Sequence, residues 1–131
     1  MKLLLDTHAL LWALTTPDHL TERQREAIQD PTNTVFASAI NIVEIAIKSS
    51  LGKLRVAASL ERNRYAEFVT AISDSGFEML SFTGTHAANI RSLPFHHRDP
   101  FDRMIIAQAV AEGYTIVTAD AQFSAYPVEL L

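Results

Sequence analysis

The chain contains 131 residues, of which 48% are hydrophobic and 20% are charged, and its formal net charge is −4. This length predicts a single domain over residues 1–131, and the composition excludes an intrinsically disordered chain. Because cysteine is absent, a disulfide scaffold, a thiolate zinc site and a cysteine nucleophile are excluded as well.

The first predicted element is a short strand at Lys2–Leu5, which is followed by a predicted helix over residues 7–14. The apolar run in this strand has three residues and ends at Asp6. A signal peptide needs about 7–15 apolar residues, and a membrane helix needs about 20. We therefore expect a soluble, cytoplasmic protein with no membrane partner.

Helices and strands are predicted to alternate along the rest of the chain. Helix patterns cover residues 21–30, 38–51, 60–75, 85–92 and 99–113, and strand patterns cover residues 34–37, 77–82, 114–119 and 127–131. Thr21 and Ser38 stand where helix N-caps are expected, and Gly52 and Gly76 follow helix ends. This alternation predicts the α/β class, as a three-layer α/β/α sandwich around a mostly parallel, Rossmann-like sheet.

Positive charge is concentrated in one segment. Residues 45–66 carry a net charge of +4, whereas the rest of the chain carries −8. The basic residues of this segment are Lys48, Lys53, Arg55, Arg62 and Arg64. They form either an ordinary solvated surface or a basic patch that contacts nucleic acid, and the sequence leaves both alternatives open.

Two predicted strands end at an aspartate. Asp6 follows the first strand, and Asp120 follows the strand over residues 114–119. If both strands are central and parallel, both carboxylates lie at the same edge of the sheet, where open α/β sheets bind ligands. The alternative is that each aspartate caps a helix or a turn.

Glu44 lies in the predicted helix over residues 38–51, on the same face as Ile40, Ile47 and Leu51. An ionised glutamate within an apolar stripe is unfavourable unless its charge is compensated. Lys48, one turn further along the helix, is one candidate for this role, and a metal ion is the other.

A second pair of acids opens the helix over residues 99–113. Asp99 is predicted to be the N-cap, with Pro100 at the first helical position and Asp102 at the third, which is close to a capping box. Asp102 also shares a helix face with Ile106 and Ala109. This face directs Asp102 toward the sheet and toward the other acids.

Four acids are therefore expected to be neighbours, namely Asp6, Glu44, Asp102 and Asp120. Four carboxylates do not all stay ionised in a partly dry cleft without a strong counter-charge. A hard divalent cation, Mg²⁺ or Mn²⁺, supplies this charge and prefers oxygen ligands. A carboxylate cluster of this kind is typical of enzymes that hydrolyse phosphodiester bonds.

The motifs around these acids resemble those of PIN-domain ribonucleases, and in particular of VapC-type toxins. The matching segments are residues 3–8 (LLLDTH), 38–48 (SAINIVEIAIK), 52–54 (GKL), 99–109 (DPFDRMIIAQA) and 117–120 (VTAD), with Phe123. The resemblance implies a PIN-like fold and an Mg²⁺- or Mn²⁺-dependent endoribonuclease that hydrolyses RNA phosphodiester bonds by a metal-activated water. It also implies that the protein is the toxin of a toxin–antitoxin pair, with an antitoxin protein as partner and a homodimeric state.

The same resemblance implies roles for individual residues. The implied catalytic and metal-binding residues are Asp6, Glu44, Asp102 and Asp120, with Asp99 and Thr118 in secondary positions. For an RNA substrate, the candidate contacts to the backbone are Lys48, Lys53, Arg55, Arg98 and Arg103. His96 and His97 are expected to lie in a solvated loop.

Three other functions agree less well with the sequence. A haloacid-dehalogenase-like phosphotransferase needs a second acid two residues after Asp6, where His8 stands. A receiver-like signalling domain needs a phosphoacceptor at the end of a middle strand and a late lysine, and neither is evident. The main alternative is a non-catalytic PIN-like module that binds RNA or protein, although all four acids are present.

Overall fold

The computed structural model describes residues 1–54 and 65–131, and a parallel β-sheet forms its centre. The strands in this part of the chain are β1 (Lys2–Leu5), β2 (Thr34–Ser38), β3 (Glu78–Leu80) and β4 (Thr115–Val117). Their order is β3-β2-β1-β4, and every pairing between them is parallel. In the register of the sheet, Leu3 lies opposite Val35, and Leu4 lies opposite Ile116. The predicted α/β class is thereby confirmed.

Helices connect the strands and cover both faces of the sheet. The α-helices of the described residues are α1 (Thr7–Thr15), α2 (Glu22–Gln29), α3 (Ala39–Ser50), α4 (Tyr65–Asp74), α5 (Gly84–Asn89) and α6 (Pro100–Glu112). Short 3₁₀ turns are formed by Pro17–His19, Ile90–Ser92 and Ala121–Ala125. None of these helices combines the length and the apolar character needed to cross a membrane. The first part of the predicted helix over residues 60–75 lies outside the described residues, as do Arg55, Arg62 and Arg64.

Side-chain caps explain where two of the helices begin. Thr21 and Gln24 form a capping box at α2, in which the backbone N–H of each residue donates to the side chain of the other at 3.1 Å. Ser38 and Asn41 form the corresponding capping box at α3. Both N-caps predicted from the sequence are therefore confirmed.

Strand β1 is the centre of the hydrophobic core, because it is buried on both faces of the sheet. Leu3 and Leu5 belong to the core layer that contains Ile45, whereas Leu4 belongs to the opposite layer, which contains Ile106. Side chains alternate between the two faces of a strand, and these three leucines have no exposed surface. The uninterrupted apolar run at the start of the chain is thus the pattern of a fully buried strand.

The predicted strands are shorter in the structure. β3 and β4 each contain three residues, whereas the sequence pattern covers six. The predicted last strand, over residues 127–131, is reduced to one bridge between Leu130 and Ile116. Similarly, α5 ends at Asn89 and continues as the 3₁₀ turn Ile90–Ser92. Because β4 ends early, residues 118–120 form a loop that carries Asp120 to the edge of the sheet.

Candidate active site at the carboxyl edge of the sheet

The carboxyl ends of β1 and β4 lie side by side and open into a cleft. The backbone N–H of Asp6 donates to the carbonyl oxygen of Val117 at 3.1 Å, which holds the two strand ends together. The cleft has a volume of about 340 Å³, and the residues that line it are Asp6, His8, Trp12, Ala119 and Asp120. The parallel sheet thus brings the two aspartates that follow strands to one edge.

Asp6 is buried and has two hydrogen-bond partners. Its Oδ1 accepts from the N–H of Ala9 at 2.7 Å and thereby caps α1, while its Oδ2 accepts from Thr118 Oγ1 at 2.5 Å. Thr118 Oγ1 in turn accepts from the N–H of Asp120 at 3.0 Å. Burial raises the pKa of Asp6, and the two hydrogen bonds offset this effect only in part. Thr118 therefore connects the two aspartates and orients the carboxylate of Asp6.

Glu44 is only 4% exposed, and both of its carboxylate oxygens are engaged. Oε1 accepts from Thr7 Oγ1 at 2.6 Å, and the side-chain amide of Asn41 donates to the same hydroxyl at 3.1 Å. Oε2 forms an ion pair with Lys48. Lys48 therefore fills the first of the two compensating roles expected for the Glu44 charge.

The helix face around Glu44 differs from the predicted apolar stripe. Ile40 is buried, but Ile47 and Leu51 are 44% and 61% exposed. The buried residues of α3 all lie within the first seven of its twelve residues, and they are Ile40, Asn41, Glu44 and Ile45. The prediction of a continuous apolar stripe was therefore wrong, because α3 leaves the core directly after Ile45.

Asp99 and Asp102 have different environments at the start of α6. Asp99 is the N-cap, since its Oδ1 accepts from the N–H of Phe101 at 2.9 Å and from that of Asp102 at 3.0 Å. Asp102 does not complete the predicted capping box, and its Oδ2 instead lies 3.3 Å from His97 Nε2. Burial, together with the negative charge of Asp99, raises the pKa of Asp102 to about 7.

His97 has a buried side chain, in contrast to the solvated loop residue expected from the sequence. Only 8% of the side chain is exposed. Tyr126 Oη accepts from Arg103 Nη1 at 3.2 Å, so its own O–H is available to donate to His97 Nδ1 at 2.8 Å. His97 therefore lies between Tyr126 and Asp102, with one ring nitrogen facing each of them. His96, by contrast, is exposed.

The candidate acids influence one another electrostatically. Burial is the main cause of the raised pKa values of Asp6 and Asp102, and the negative charge of Glu44 contributes to both. Asp120 is connected to Asp6 through Thr118. The four acids proposed from the sequence thus lie in one region of the molecule, although they come from four separate segments of the chain.

Lys48 supplies positive charge to this region. Its Nζ pairs with Glu44 and lies 4.0 Å from Asp99 Oδ2. Burial alone would lower the pKa of Lys48, but the hydrogen bond and charge of Glu44, together with the charges of Asp99 and Asp102, outweigh burial and raise it. Within residues 1–54 and 65–131, no three acidic or histidine side chains converge closely enough to enclose a metal ion. The region is therefore a set of neighbouring oxygen donors rather than a closed metal cage.

The other cationic residues predicted to contact RNA differ in exposure. Lys53 and Arg98 are exposed, whereas Arg55 lies outside the described part of the chain. Arg103 is buried, and its Nη1 donates to the carbonyl oxygen of Pro94 at 2.8 Å as well as to Tyr126. The head group of Arg103 is thus engaged within the protein, in contrast to the free contact expected from the sequence.

Known proteins share this architecture. The PIN domain family model matches residues 3–129. VapBC2 from Rickettsia felis, bound to a DNA fragment from its promoter, superposes with a TM-score of 0.72 at 19% identity, covering 100% of this chain and 98% of that one. DNA-bound VapBC from Salmonella typhimurium gives a TM-score of 0.71 at 20% identity, covering 100% and 97%.

A third similar structure is VapBC-5 from Mycobacterium tuberculosis, a member of the VapBC family of toxin–antitoxin systems. It superposes with a TM-score of 0.62 at 19% identity, covering 99% of this chain and 97% of that one. At such identities the similarity shows the fold. No curated protein sequence gives a significant match.

Proposed function

The chain belongs to the PIN domain family, and from this premise we propose that it is a metal-dependent endoribonuclease, the toxin of a toxin–antitoxin pair. The observation that carries this proposal is the group of four carboxylates at the carboxyl edge of the sheet, of which Asp6 and Glu44 are buried and Asp102 has a pKa raised to about 7. Burying the charge of an acid lowers the stability of the fold. Buried acids with perturbed pKa values at a cleft are therefore typical of sites where function requires them.

The donors in this region suit a hard divalent cation. Asp6, Glu44, Asp102 and Asp120 offer only oxygen atoms, which Mg²⁺ and Mn²⁺ prefer. We propose that these four acids hold the ion and act as the catalytic residues, and that Asp99 and Thr118 have secondary roles. When bound, the cation would supply an activated water and neutralise negative charge on the phosphate during hydrolysis.

The protein itself contributes orientation and charge balance. Thr118 restricts the rotation of the Asp6 carboxylate, and Thr7 does the same for Glu44. Lys48 balances the charge of Glu44 through their ion pair. Carboxylates that are fixed in this way before a ligand binds lose little further entropy when they bind it.

An RNA substrate agrees with the exposed cations of the chain. Lys53 and Arg98 are exposed and can contact phosphates, which position a nucleic acid without reading its sequence. Lys48 and Arg55 are further candidates for such contacts. We assign Arg103 a supporting role, because its head group is engaged within the protein.

The partners that we propose follow from the family and its structural neighbours. The similar structures are VapBC proteins, and one of them is described as belonging to toxin–antitoxin systems. We therefore propose an antitoxin protein as the partner of this chain, together with a homodimeric state and a cytoplasmic location. Light scattering of the purified chain measures the oligomeric state directly.

Cleavage of a mixed pool of RNA by the purified chain tests the proposed activity. We expect cuts in the presence of Mn²⁺ or Mg²⁺ that are absent with EDTA and absent with the Asp6→Asn variant. Asp18→Asn is the matched control and should cleave like the wild type, because the Asp18 side chain is 97% exposed. A folded, antitoxin-free chain that cleaves no RNA with either metal would favour the non-catalytic alternative, a PIN-like module that binds RNA or protein.

A further inference from the structure

The loop over residues 93–98 presents a large aromatic side chain to solvent beside the acidic group. Phe95 is 71% exposed, which is unusual for phenylalanine. Arg103, the residue after Asp102, lies 4.8 Å from the centre of the Phe95 ring. His97, two residues after Phe95, lies within 3.3 Å of Asp102. The exposed ring is therefore directly connected to the proposed active site.

The backbone on both sides of this ring is held in place by residues from other elements. Arg103 Nη1 donates to the carbonyl oxygen of Pro94 at 2.8 Å. The hydroxyl of Tyr126, a buried residue, lies 3.4 Å from the N–H of His96 and 2.8 Å from the Nδ1 of His97. Because these contacts flank the ring, its exposure is a property of a fixed loop and not of a loose chain end.

The guanidinium of Arg103, a buried residue, places a positive charge beneath this surface. Among residues 1–54 and 65–131 it forms no ion pair, and its partners are the neutral groups of Pro94, Tyr126 and Phe95. A buried cation without a carboxylate partner is unfavourable unless a ligand supplies negative charge. The exposed Arg98 lies in the same loop. A polyanion therefore fits this surface better than an apolar protein surface does.

We propose that Phe95 is a stacking platform for an unpaired base of the RNA substrate, close to the phosphate that is cut. The ring supplies a π face for the base, and the charge of Arg103 attracts the neighbouring phosphates. Only unpaired RNA can present a base in this way, so the platform selects single-stranded RNA over duplex RNA. This inference rests on the proposed ribonuclease function and adds a residue that recognises the substrate.

Steady-state cleavage of a single-stranded RNA oligonucleotide by Phe95 variants tests the platform. Phe95→Ala is expected to raise KM about ten-fold and to leave kcat nearly unchanged, because one base stack is lost from ground-state binding. Phe95→Trp is expected to keep the wild-type KM, whereas Phe95→Leu, which is apolar but has no π face, is expected to resemble Phe95→Ala. Val110→Ala, at the other end of α6, is the matched control, because Val110 is 41% exposed.

A fluorescent base reports stacking directly. The oligonucleotide contains 2-aminopurine, and the protein carries Asp6→Asn. We expect the fluorescence of the oligonucleotide to change when it binds to this protein, and not to change when the protein also carries Phe95→Ala. The same sequence as a duplex is expected to show no dependence on Phe95. An unchanged KM and unchanged fluorescence in folded Phe95→Ala protein would overturn the platform. If that variant altered only the oligomeric state, Phe95 would be assigned to a contact between copies of the chain.

The two proposals fail in distinguishable ways. If the wild type cleaves no RNA but the fluorescence response depends on Phe95, the ribonuclease proposal fails and the base-binding surface stands. If the wild type cleaves RNA and Phe95→Ala does so with the same KM, the ribonuclease proposal stands and the platform fails. A wild type that neither cleaves nor binds single-stranded RNA overturns both.

Discussion

Individual acidic side chains of this protein contribute to the fold and to the candidate site at the same time. Asp6 caps α1 with one oxygen while the other accepts from Thr118 at the edge of the cleft. The sequence alone leaves a capping role and a ligand role as alternatives for Asp6, and the structure shows that the cap occupies one oxygen only. Asp99, by comparison, is the N-cap that its sequence context predicts.

Other important residues near the acids could not be found from local sequence. Thr7 meets Glu44 across a sequence separation of 37 residues, and His97 meets Tyr126 across 29. No motif or periodicity connects positions this far apart, because tertiary packing alone brings them together. For this reason the burial of His97 was predicted wrongly, whereas the acids themselves could be proposed from their positions after strands and at helix starts.

The hydroxyl of Thr7 is expected to stabilise the fold through Glu44. Thr7→Val keeps the shape of the side chain but leaves Glu44 Oε1 and the Asn41 amide without this partner. An unsatisfied buried polar group costs about 1–3 kcal/mol, and we expect the free energy of unfolding in urea to fall by that amount. Thr7→Ser keeps the hydroxyl and should stay near the wild type. A Thr7→Val protein as stable as the wild type would contradict this role of the hydroxyl.

The raised pKa of Asp102 predicts a stability that depends on pH when no metal is bound. The carboxyl has a pKa of 3.8 in the unfolded chain and of about 7 in the folded protein, so the folded state binds the proton more tightly. Its stabilising contribution is therefore fully present below about pH 4 and is lost as the pH rises to about 7. We expect the free energy of unfolding, measured in urea with EDTA, to fall as the pH rises over this range. The fall should be less steep for Asp102→Asn than for the wild type. If the unfolding free energies of the two proteins changed with pH in the same way, this would argue against the raised pKa of Asp102.

Helices and strands were predictable in type and order, but less so at their ends. The N-caps Thr21 and Ser38 depend on residues within one turn, and local sequence therefore identified them. β3 is an edge strand that pairs on one side only, and the far side of β4 is covered only by the bridge at Leu130. Neither strand therefore has a full-length neighbour on its outer side, which explains why both end before their apolar pattern does. Similarly, the exposure of Ile47 depends on which elements pack against α3, and helical periodicity contains no such information.

The start of α6 offers a test of capping that is separate from any role in ligand binding. Asp99→Ala removes the acceptor of two backbone N–H groups and is expected to lower the free energy of unfolding by about 1 kcal/mol. Asp99→Asn keeps an oxygen at the same place and should restore most of this loss. The measurement is urea unfolding followed by circular dichroism, and an Asp99→Asn protein as unstable as Asp99→Ala would argue against the cap.

The fold as a whole assembles the site around β1. This strand is buried on both faces, and Asp6 follows it directly. The meeting of Asp6 and Asp120 at one edge could be predicted, since it depends only on parallel pairing and on the carboxyl ends of strands. The engagement of each carboxylate by a hydroxyl, an N–H or a lysine could not be predicted, because it depends on side-chain packing.

The central position of β1 predicts a large effect of a mutation in its core. Leu5 has no exposed surface, and we expect Leu5→Ala to lower the free energy of unfolding by about 2–5 kcal/mol. Leu51→Ala is the matched control, since Leu51 is 61% exposed, and its effect should stay within about 0.5 kcal/mol. Similar small effects for both variants in urea unfolding would show that β1 is not the centre of the core.

Titration calorimetry of the metal-free protein with Mn²⁺ tests most directly whether the acidic group acts as one cation site. We predict that the wild type and the surface control Asp18→Asn bind the ion. Affinity should fall about ten-fold or more in each of four variants, namely Asp6→Asn, Glu44→Gln, Asp102→Asn and Asp120→Asn. A wild type that does not bind Mn²⁺, or folded variants that bind it with wild-type affinity, would contradict a shared cation site.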